Sequence, residues 1–304
     1  MERPTIALPK EAVNFSWKNS LLTLQKLQVL HKERWVDKVD IKVKTTGIPY
    51  FLFMPLSDFH IGAKGTDYKA LKSHLELIKN YGVSTILLGD MGDFFSPTVI
   101  PSGMMDDVVN PNEQAEIIRS FFKEYREGIL SVVSGNHEGW NKKTSGFDLY
   151  TYLASELEIP LLNSGGVVNI KVDKERYRLR LFHKVARLNS QFNYTHAGKQ
   201  ALRLGGIDNL DMVISGDKHL GAVETTTYGD KKVIVAQLGT FKTNDPFGKD
   251  IGMPQKPTIF FPIFALDGRQ HNIEYFSNPT SAVEFYETMN KGIKNRAVAM
   301  LGIK

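Results

Sequence analysis

Three short apolar runs, each followed by a polar cluster, constrain the fold of this chain more than any other feature. The runs cover residues 50–56, 83–88 and 129–133, and helical patterns lie between them. Unbroken apolar runs of this length are typical of strands that are buried on both faces. Because helices separate the runs, the pattern predicts βαβ units and a parallel sheet covered by helices.

Helix signals between the runs support this prediction. Asp67 is placed to cap a helix that carries Leu71 and Ile78 on one face. Asn112 is predicted to cap the next helix, whose apolar positions extend to Tyr125.

The second half of the chain has closely spaced strand-like segments. They cover residues 167–172, 177–182, 223–228, 233–238, 259–266 and 271–276. Turn-forming residues at 229–231 and 267–269 predict two hairpins. We therefore predict an α/β protein in which two packed mixed β-sheets are flanked by helices.

The chain divides into three predicted segments. Residues 1–46 form an N-terminal extension with one helix and one strand, residues 47–278 form the main domain, and residues 279–304 form a C-terminal helix. The first helix is indicated by leucines at positions 21, 24, 27 and 30, which share one helical face.

Composition limits the chemistry that is possible. The 304 residues include no cysteine, which excludes disulfides, thiolate metal sites, iron–sulfur clusters and a cysteine nucleophile. A metal site must therefore use histidine, carboxylate and amide ligands. The sequence shows no signal-peptide pattern and no apolar stretch of membrane-spanning length, so we expect a cytoplasmic protein without a membrane partner.

Polar clusters stand where the apolar runs stop. They are Asp58-x-His60, Gly89-Asp90-x-x-Asp93, Gly135-Asn136-His137-Glu138 and Gly216-Asp217-x-His219, with His183 directly after a fifth run. Taken singly, each residue is more typical of a cap or a turn. Jointly they are residue types that can bind metals, and they lie at the predicted carboxyl ends of strands, where sites in α/β sheets are built.

This ordered set resembles the calcineurin-like metallophosphoesterase superfamily over roughly residues 50–240. Its pattern is D-x-H, then G-D-x-x-D, then G-N-H-[D/E], then a histidine after a strand, then G-H-x-H. The overall pattern is also similar to phage-encoded members, which would act in a host cytoplasm. Two positions differ or stay open. Asp217 stands where the first histidine of G-H-x-H is expected. The single histidine is His183 or His196, and His183 is preferred because it lies at the end of a predicted strand.

The resemblance implies a four-layer sandwich and a two-metal site that activates a hydroxide for attack on a phosphate ester. It assigns Asp58, His60 and His219 to one metal, Asp90 to both metals, and Asn136, His183 and Asp217 to the second. Asp217 is either a direct ligand or a residue that acts only through water. The mixture of oxygen and imidazole ligands favours Mn²⁺, with Mg²⁺, Fe and Zn²⁺ also compatible.

The remaining motif residues receive supporting roles. The resemblance makes His137 a catalytic residue that stabilises charge and protonates the leaving oxygen, and Glu138 the residue that orients it. Asp93 is predicted to support its loop. Trp140 either lines the site or packs beneath it, and residues 96–110 are predicted to form a lid.

Basic residues before His183 indicate the substrate class. Lys171, Arg176, Arg178 and Arg180 alternate on two strands, which suits a polyanion such as DNA or RNA, although a solvated sheet face has the same pattern. The favoured function is a nuclease-like phosphodiesterase. The alternatives are a phosphomonoesterase and a non-catalytic scaffold or nucleic-acid-binding relative with an impaired site.

Overall fold

The computed structural model describes residues 17–32, 36–96, 101, 103–185, 193–204, 209–244 and 257–301. The chain separates into two units, Met1–Val36 and Asp37–Lys304. In the first unit the predicted helix is confirmed as α1 (Trp17–Lys32). Its leucines at 21, 24 and 27 are each at least half exposed.

The strands of the second unit lie where the sequence shows apolar runs and hairpin signals. In chain order these are β1 (Lys38–Val43), β2 (Tyr50–Leu56), β3 (Ser84–Leu88), β4 (Ile129–Val133), β5 (Gly165–Val172), β6 (Glu175–Phe182), β7 (Met212–Ser215), β8 (Ala222–Tyr228), β9 (Lys231–Gln237), β10 (Ile263–Asp267) and β11 (Ile273–Phe276).

Helices connect and flank these strands. They are α2 (Tyr68–Tyr81), α3 (Pro111–Glu124), α4 (Asn136–Ser145), α5 (Leu149–Glu156), α6 (His196–Leu204) and α7 (Pro279–Leu301). Asp67 caps α2 as predicted, by accepting a hydrogen bond from the Ala70 amide. The prediction that Asn112 caps α3 is wrong. Asn110 is the cap, because its side chain accepts from the amides of Asn112 and Glu113, and Pro111 is suited to the first helical position.

The strands form two mixed sheets, as predicted. The five-stranded sheet has the order β11-β10-β2-β3-β4, and β2, β3 and β4 run parallel. The six-stranded sheet has the order β1-β5-β6-β7-β9-β8, and β6, β7 and β9 run parallel. The predicted hairpins are confirmed as β8–β9 and β10–β11.

Residues of β1 were assigned to the N-terminal extension by sequence. In the structure β1 is an edge strand of the larger sheet and pairs with β5 in parallel, with Lys42 opposite Lys171. At the other end of the chain, α7 packs its Phe285 against Tyr50 and Phe276. Within the described residues, no helix is both long and apolar enough to cross a membrane.

A continuous apolar core lies between the two sheets. Phe53 and Phe264 stack at 5.3 Å on the smaller sheet, while Leu179 and Ile170 come from the larger one, and all four are fully buried. Burial of each such side chain stabilises the fold by about 1.5–3 kcal/mol. This packing holds the carboxyl ends of β2, β3, β4, β6 and β7 at fixed positions.

Phe264→Ala tests the importance of this core. Because Phe264 is fully buried and stacked, its loss should lower the free energy of unfolding by about 3–5 kcal/mol. Phe147→Ala is the matched control, since Phe147 is 48% exposed, and it should cost less than about 1 kcal/mol. Urea denaturation measures both. Equal losses in the two variants would contradict the placement of Phe264.

Candidate metal centre

The predicted ligands lie where strands of the two sheets end. Asp58 and His60 follow β2, Asp90 follows β3, and His183 follows β6. These four side chains are almost completely buried. The structure brings six residues into three overlapping groups whose ligand atoms lie within 4.8 Å of one another. The groups are Asp58, His60 and His219; His60, Asp90 and His137; and Asp58, Asp90 and His183.

Asn136 joins these groups through His183. Its Oδ1 lies 3.2 Å from Nε2 of His183, which is also 3.1 Å from Oδ2 of Asp90. His196 starts α6, where its amide donates to Asn193 in the turn that precedes the helix. Of the two histidines that the sequence left open, only His183 lies in these groups.

Strained backbone marks the same residues. Asp58, His60, Asp90, Asp217 and His219 all have positive φ, between 48° and 71°. Non-glycine residues adopt this left-handed conformation at a cost, and such positions cluster at functional sites. A regular strand would point successive side chains to opposite faces. The left-handed conformation instead lets several of these side chains point toward the same centre.

Two glycines allow the loops after β3 and β4 to touch. A Cβ on Gly89 would lie 2.5 Å from the Cα of Gly135, and a Cβ on Gly135 would lie 2.0 Å from Oδ1 of Asp90. No L side chain fits at either contact. The glycines of two sequence motifs therefore bring Asp90 and Asn136 together.

Hydrogen bonds fix the orientation of three imidazoles. Nδ1 of His60 lies 2.6 Å from Oδ1 of Asp93. Nδ1 of His137 lies 2.5 Å from the Asp93 carbonyl oxygen, and Nδ1 of His183 lies 2.5 Å from the Leu88 carbonyl oxygen. Carbonyl and carboxylate oxygens only accept, so each Nδ1–H donates. This leaves each Nε2 directed toward the carboxylates of the centre, as is usual for metal-binding histidines.

The charges of the centre are mutually stabilised. Burial opposes ionisation, but the Asp93 carboxylate raises the pKa of His60 to about 10, and Asp90 raises the pKa of His183 to about 10. The contact with His183 outweighs burial in Asp90, and contacts with His219 and His60 outweigh burial in Asp58, so the pKa values of both carboxyls are lowered. In His137 burial dominates and lowers the pKa.

The donor set fits a cation. Oδ1 of Asp58 is buried and, among the described residues, accepts no hydrogen bond of normal geometry. Nε2 of His219 lies 3.2 Å from that oxygen and 3.1 Å from Nε2 of His60. Two imidazole nitrogens and a carboxylate oxygen that face one another are suited to share a divalent cation.

Asp217 lies beside these groups and joins none of them. Its two oxygens lie 3.2 Å from Nζ of Lys184 and 2.9 Å from Nζ of Lys218. Its amide donates to Oδ2 of Asp58 at 3.2 Å. The carboxylate is therefore neutralised by two lysines, and a direct role as a ligand stays a prediction.

The predicted role of Glu138 as the residue that orients His137 is not what the structure shows. The buried Glu138 carboxylate accepts hydrogen bonds from the amides of Asp90, Met91 and Gly135 and from the hydroxyl of Tyr150. His137 is instead held by the Asp93 carbonyl. Three of these donors are amides in the loops after β3 and β4, so the Glu138 side chain links the two loops.

Asp93 and Lys242 form a buried ion pair beneath the centre. Lys242 is 2% exposed, and its Nζ lies 3.1 and 2.9 Å from the two oxygens of Asp93. Asp93 was predicted only to support its loop, and its hydrogen bond to His60 was not predicted. Lys242 was not predicted at all, because it belongs to no motif and lies 149 positions from Asp93 in the sequence.

Aromatic rings surround His137 on its open side. The Trp140 ring centroid lies 4.2 Å from that of His137, and Phe95 stacks on Trp140 at 6.2 Å. Trp140 therefore contacts a residue of the centre, and both positions that the sequence left open for it fit this contact. Of the predicted lid, residues 97–100 and 102 lie outside the described residues. Gln114 holds its later part by bonding Asp107 and the Val109 carbonyl.

No protein-family model and no curated protein matches this chain. Three similar solved structures are a Thermotoga maritima protein studied by NMR, a metallophosphoesterase from Sphaerobacter thermophilus, and GAP50, the anchor in the inner membrane complex of Plasmodium. Their identities are 14%, 14% and 13%, and their TM-scores 0.35, 0.37 and 0.35. They cover 75%, 80% and 75% of this chain, which in turn covers 99%, 99% and 84% of theirs.

Metal uptake should release protons. In the metal-free protein at pH 7, His60 and His183 are protonated because their pKa values are about 10. A cation that binds their Nε2 atoms displaces about two protons, so affinity should increase as pH rises toward 10. Calorimetry in buffers of different ionisation enthalpy counts the protons, and release near zero would contradict the pairing.

The stability of the metal-free protein should follow the same groups. The pKa values of His60 and His183 are raised above the ordinary 6.5, so their ion pairs contribute fully to the free energy of unfolding below pH 6.5. That contribution is lost as pH rises from about 6.5 to about 10. His196→Gln is the control, since a histidine outside the centre should change neither proton release nor this pH dependence.

Glu138→Ala should destabilise the protein itself. The change leaves three buried amides and the Tyr150 hydroxyl without their acceptor, at about 1–3 kcal/mol for each group. We expect the free energy of unfolding to fall by at least about 3 kcal/mol in urea, without added metal. Tyr150→Phe removes one donor and should cost about 1 kcal/mol. Full stability combined with lost activity would support the sequence-based role of Glu138 instead.

Proposed function

We propose that this protein is a metal-dependent phosphodiesterase of the calcineurin-like type, acting on DNA or RNA. The observation that supports it best is the convergence of the D-x-H, G-D-x-x-D, G-N-H-E and final histidine residues on one buried centre. Chance would not bring ligands from five separate loops together around a buried carboxylate.

Two divalent cations in this centre would neutralise charge on a phosphate ester and lower the pKa of a water molecule. Asp58, His60 and His219 would hold one cation, and Asp90, Asn136 and His183 are arranged to hold the other. Mn²⁺ is the cation that this mixture of imidazole and oxygen ligands favours. The protein supplies orientation, because every imidazole that is held by its Nδ1 presents its Nε2 in a fixed direction.

His137 is the side chain placed to move a proton. Its Nδ1–H is engaged by the Asp93 carbonyl, and its Nε2 lies 3.7 Å from Asp90 Oδ2. Because burial lowers its pKa, the metal-free imidazole is neutral, and Nε2 is then a proton acceptor. It must take up a proton before it can give one to the leaving oxygen.

Charge and aromatic surface favour a nucleic-acid substrate. Lys184 and Lys218 stand beside the centre, and β6, which leads to His183, carries arginines at alternate positions. Trp140 is partly exposed beside His137, so the part of its ring that His137 and Phe95 leave uncovered could contact a base. A phosphomonoesterase has the same centre but needs neither feature.

Substitutions within the centre test the proposal. Asp90→Asn and His137→Ala should each lower kcat/KM for bis-nitrophenyl phosphate by about 10²-fold or more with Mn²⁺, because each removes a group that acts on the ester or its cations. His183→Ala should do the same. The matched controls His196→Ala and Asp230→Asn, both outside the centre, should retain the wild-type rate.

The substrate panel separates the alternatives. Faster hydrolysis of mono-nitrophenyl phosphate than of the diester would favour a phosphomonoesterase. A wild-type protein that binds no divalent ion by metal analysis would favour the non-catalytic scaffold.

A further inference from the structure

A basic groove lies on the larger sheet, away from the metal centre. It has a volume of about 750 Å³ and is lined by side chains of β1, β5 and β6, with contributions from Asp211, Lys231 and His271. Arg176, Arg178 and Arg180 share this outer face by the alternation of β6, whose other face packs Leu179 and Leu181 in the core.

Three cations stand side by side across the groove. The registers place Lys42 opposite Lys171, and Lys171 opposite Arg176. Adjacent strands are about 4.8 Å apart, so this row places like-charged residues in neighbouring positions, an arrangement that destabilises a sheet. Within the described residues, none of the three has a carboxylate within ion-pair distance.

The acidic side chains of the groove are already engaged. Asp40 accepts from Asn169 at 2.7 Å and pairs with Lys38 at 3.4 Å. Asp211 pairs with Lys231 at 2.7 Å and with His271 at 2.8 Å. The groove is lined by six lysines and arginines and by these two carboxylates, so its net charge is positive.

Helix α6 covers only the other half of this face. Leu202 of α6 packs on Val213 of β7 and Val233 of β9. Val213 is opposite Arg180, so the helix and the basic groove share one face of the sheet. None of the exposed large apolar side chains among the described residues lies on β1, β5 or β6, which disfavours a membrane surface as the partner.

We propose that this groove binds the sugar–phosphate backbone of a nucleic acid, with the row Lys42, Lys171 and Arg176 as its phosphate site. The inference rests on the proposed function for the identity of the ligand. The row lies seven positions before His183 along β6, a distance of ~23 Å. The groove is thus a docking site outside the metal centre, and a bound strand that follows β6 would lead toward His183.

Binding in EDTA tests the groove without catalysis. Fluorescence anisotropy with a labelled DNA, single-stranded and duplex, should give Kd over a range of salt concentrations. Lys171→Gln should weaken binding several-fold regardless of sequence and reduce the slope of log Kd against log salt by about 0.9, the value for one lost phosphate contact. Its Tm should stay equal or rise, because a like-charge contact is removed.

Lys232→Gln is the matched control, since Lys232 is exposed on the opposite face of the same sheet. It should leave Kd and the salt slope unchanged. Arg176→Gln repeats the test if Lys171→Gln fails to fold. Equal effects of the row and control variants would overturn the proposal, as would tight binding to phosphatidylserine vesicles with no binding to DNA. Binding without hydrolysis of bis-nitrophenyl phosphate would refute the proposed function while supporting the groove.

Discussion

A buried cluster of opposite charges is the constraint on which the rest of this structure depends. Asp58, Asp90 and Asp93 are removed from water, and such carboxylates are tolerated only when cations or donors surround them. His60 and Lys242 supply that charge at Asp93, with contacts of 2.6 to 3.1 Å. The two packed sheets make this possible, because strand ends from both meet at one edge.

The loops of the centre hold one another in strained conformations. Five of the motif residues have positive φ, and their cost is offset by backbone bonds between loops, such as those from the amides of Asp58 and His60 to the carbonyls of Gly89 and Asp90. Glu138 adds three amide contacts to this network. The motif residues therefore form rigid, hydrogen-bonded loops as well as a set of candidate ligands. Such rigidity suits a site that must keep its geometry through a reaction.

Charge is arranged on two scales. At the centre, Asp90 and Asp93 have positive partners, whereas Glu138 is held by amide and hydroxyl donors. On the outer face of the larger sheet, Lys42, Lys171 and Arg176 lie in neighbouring register positions. Like charges in such positions destabilise a sheet, and this row is where we propose that a phosphate backbone binds.

Apolar periodicity and motif order are local properties, and from them the sequence predicted the strands, most of the helices, both mixed sheets and a candidate set of metal ligands. It also placed His183 ahead of His196. Only the tertiary structure decided the cap of α3, the partners of Glu138 and the burial of Lys242 against Asp93. Those contacts join residues far apart in the chain, and no local pattern records which distant donor will fill a buried acceptor. The row of Lys42, Lys171 and Arg176 could not be predicted from the sequence for a similar reason, because the register between strands exists only after the sheet has formed.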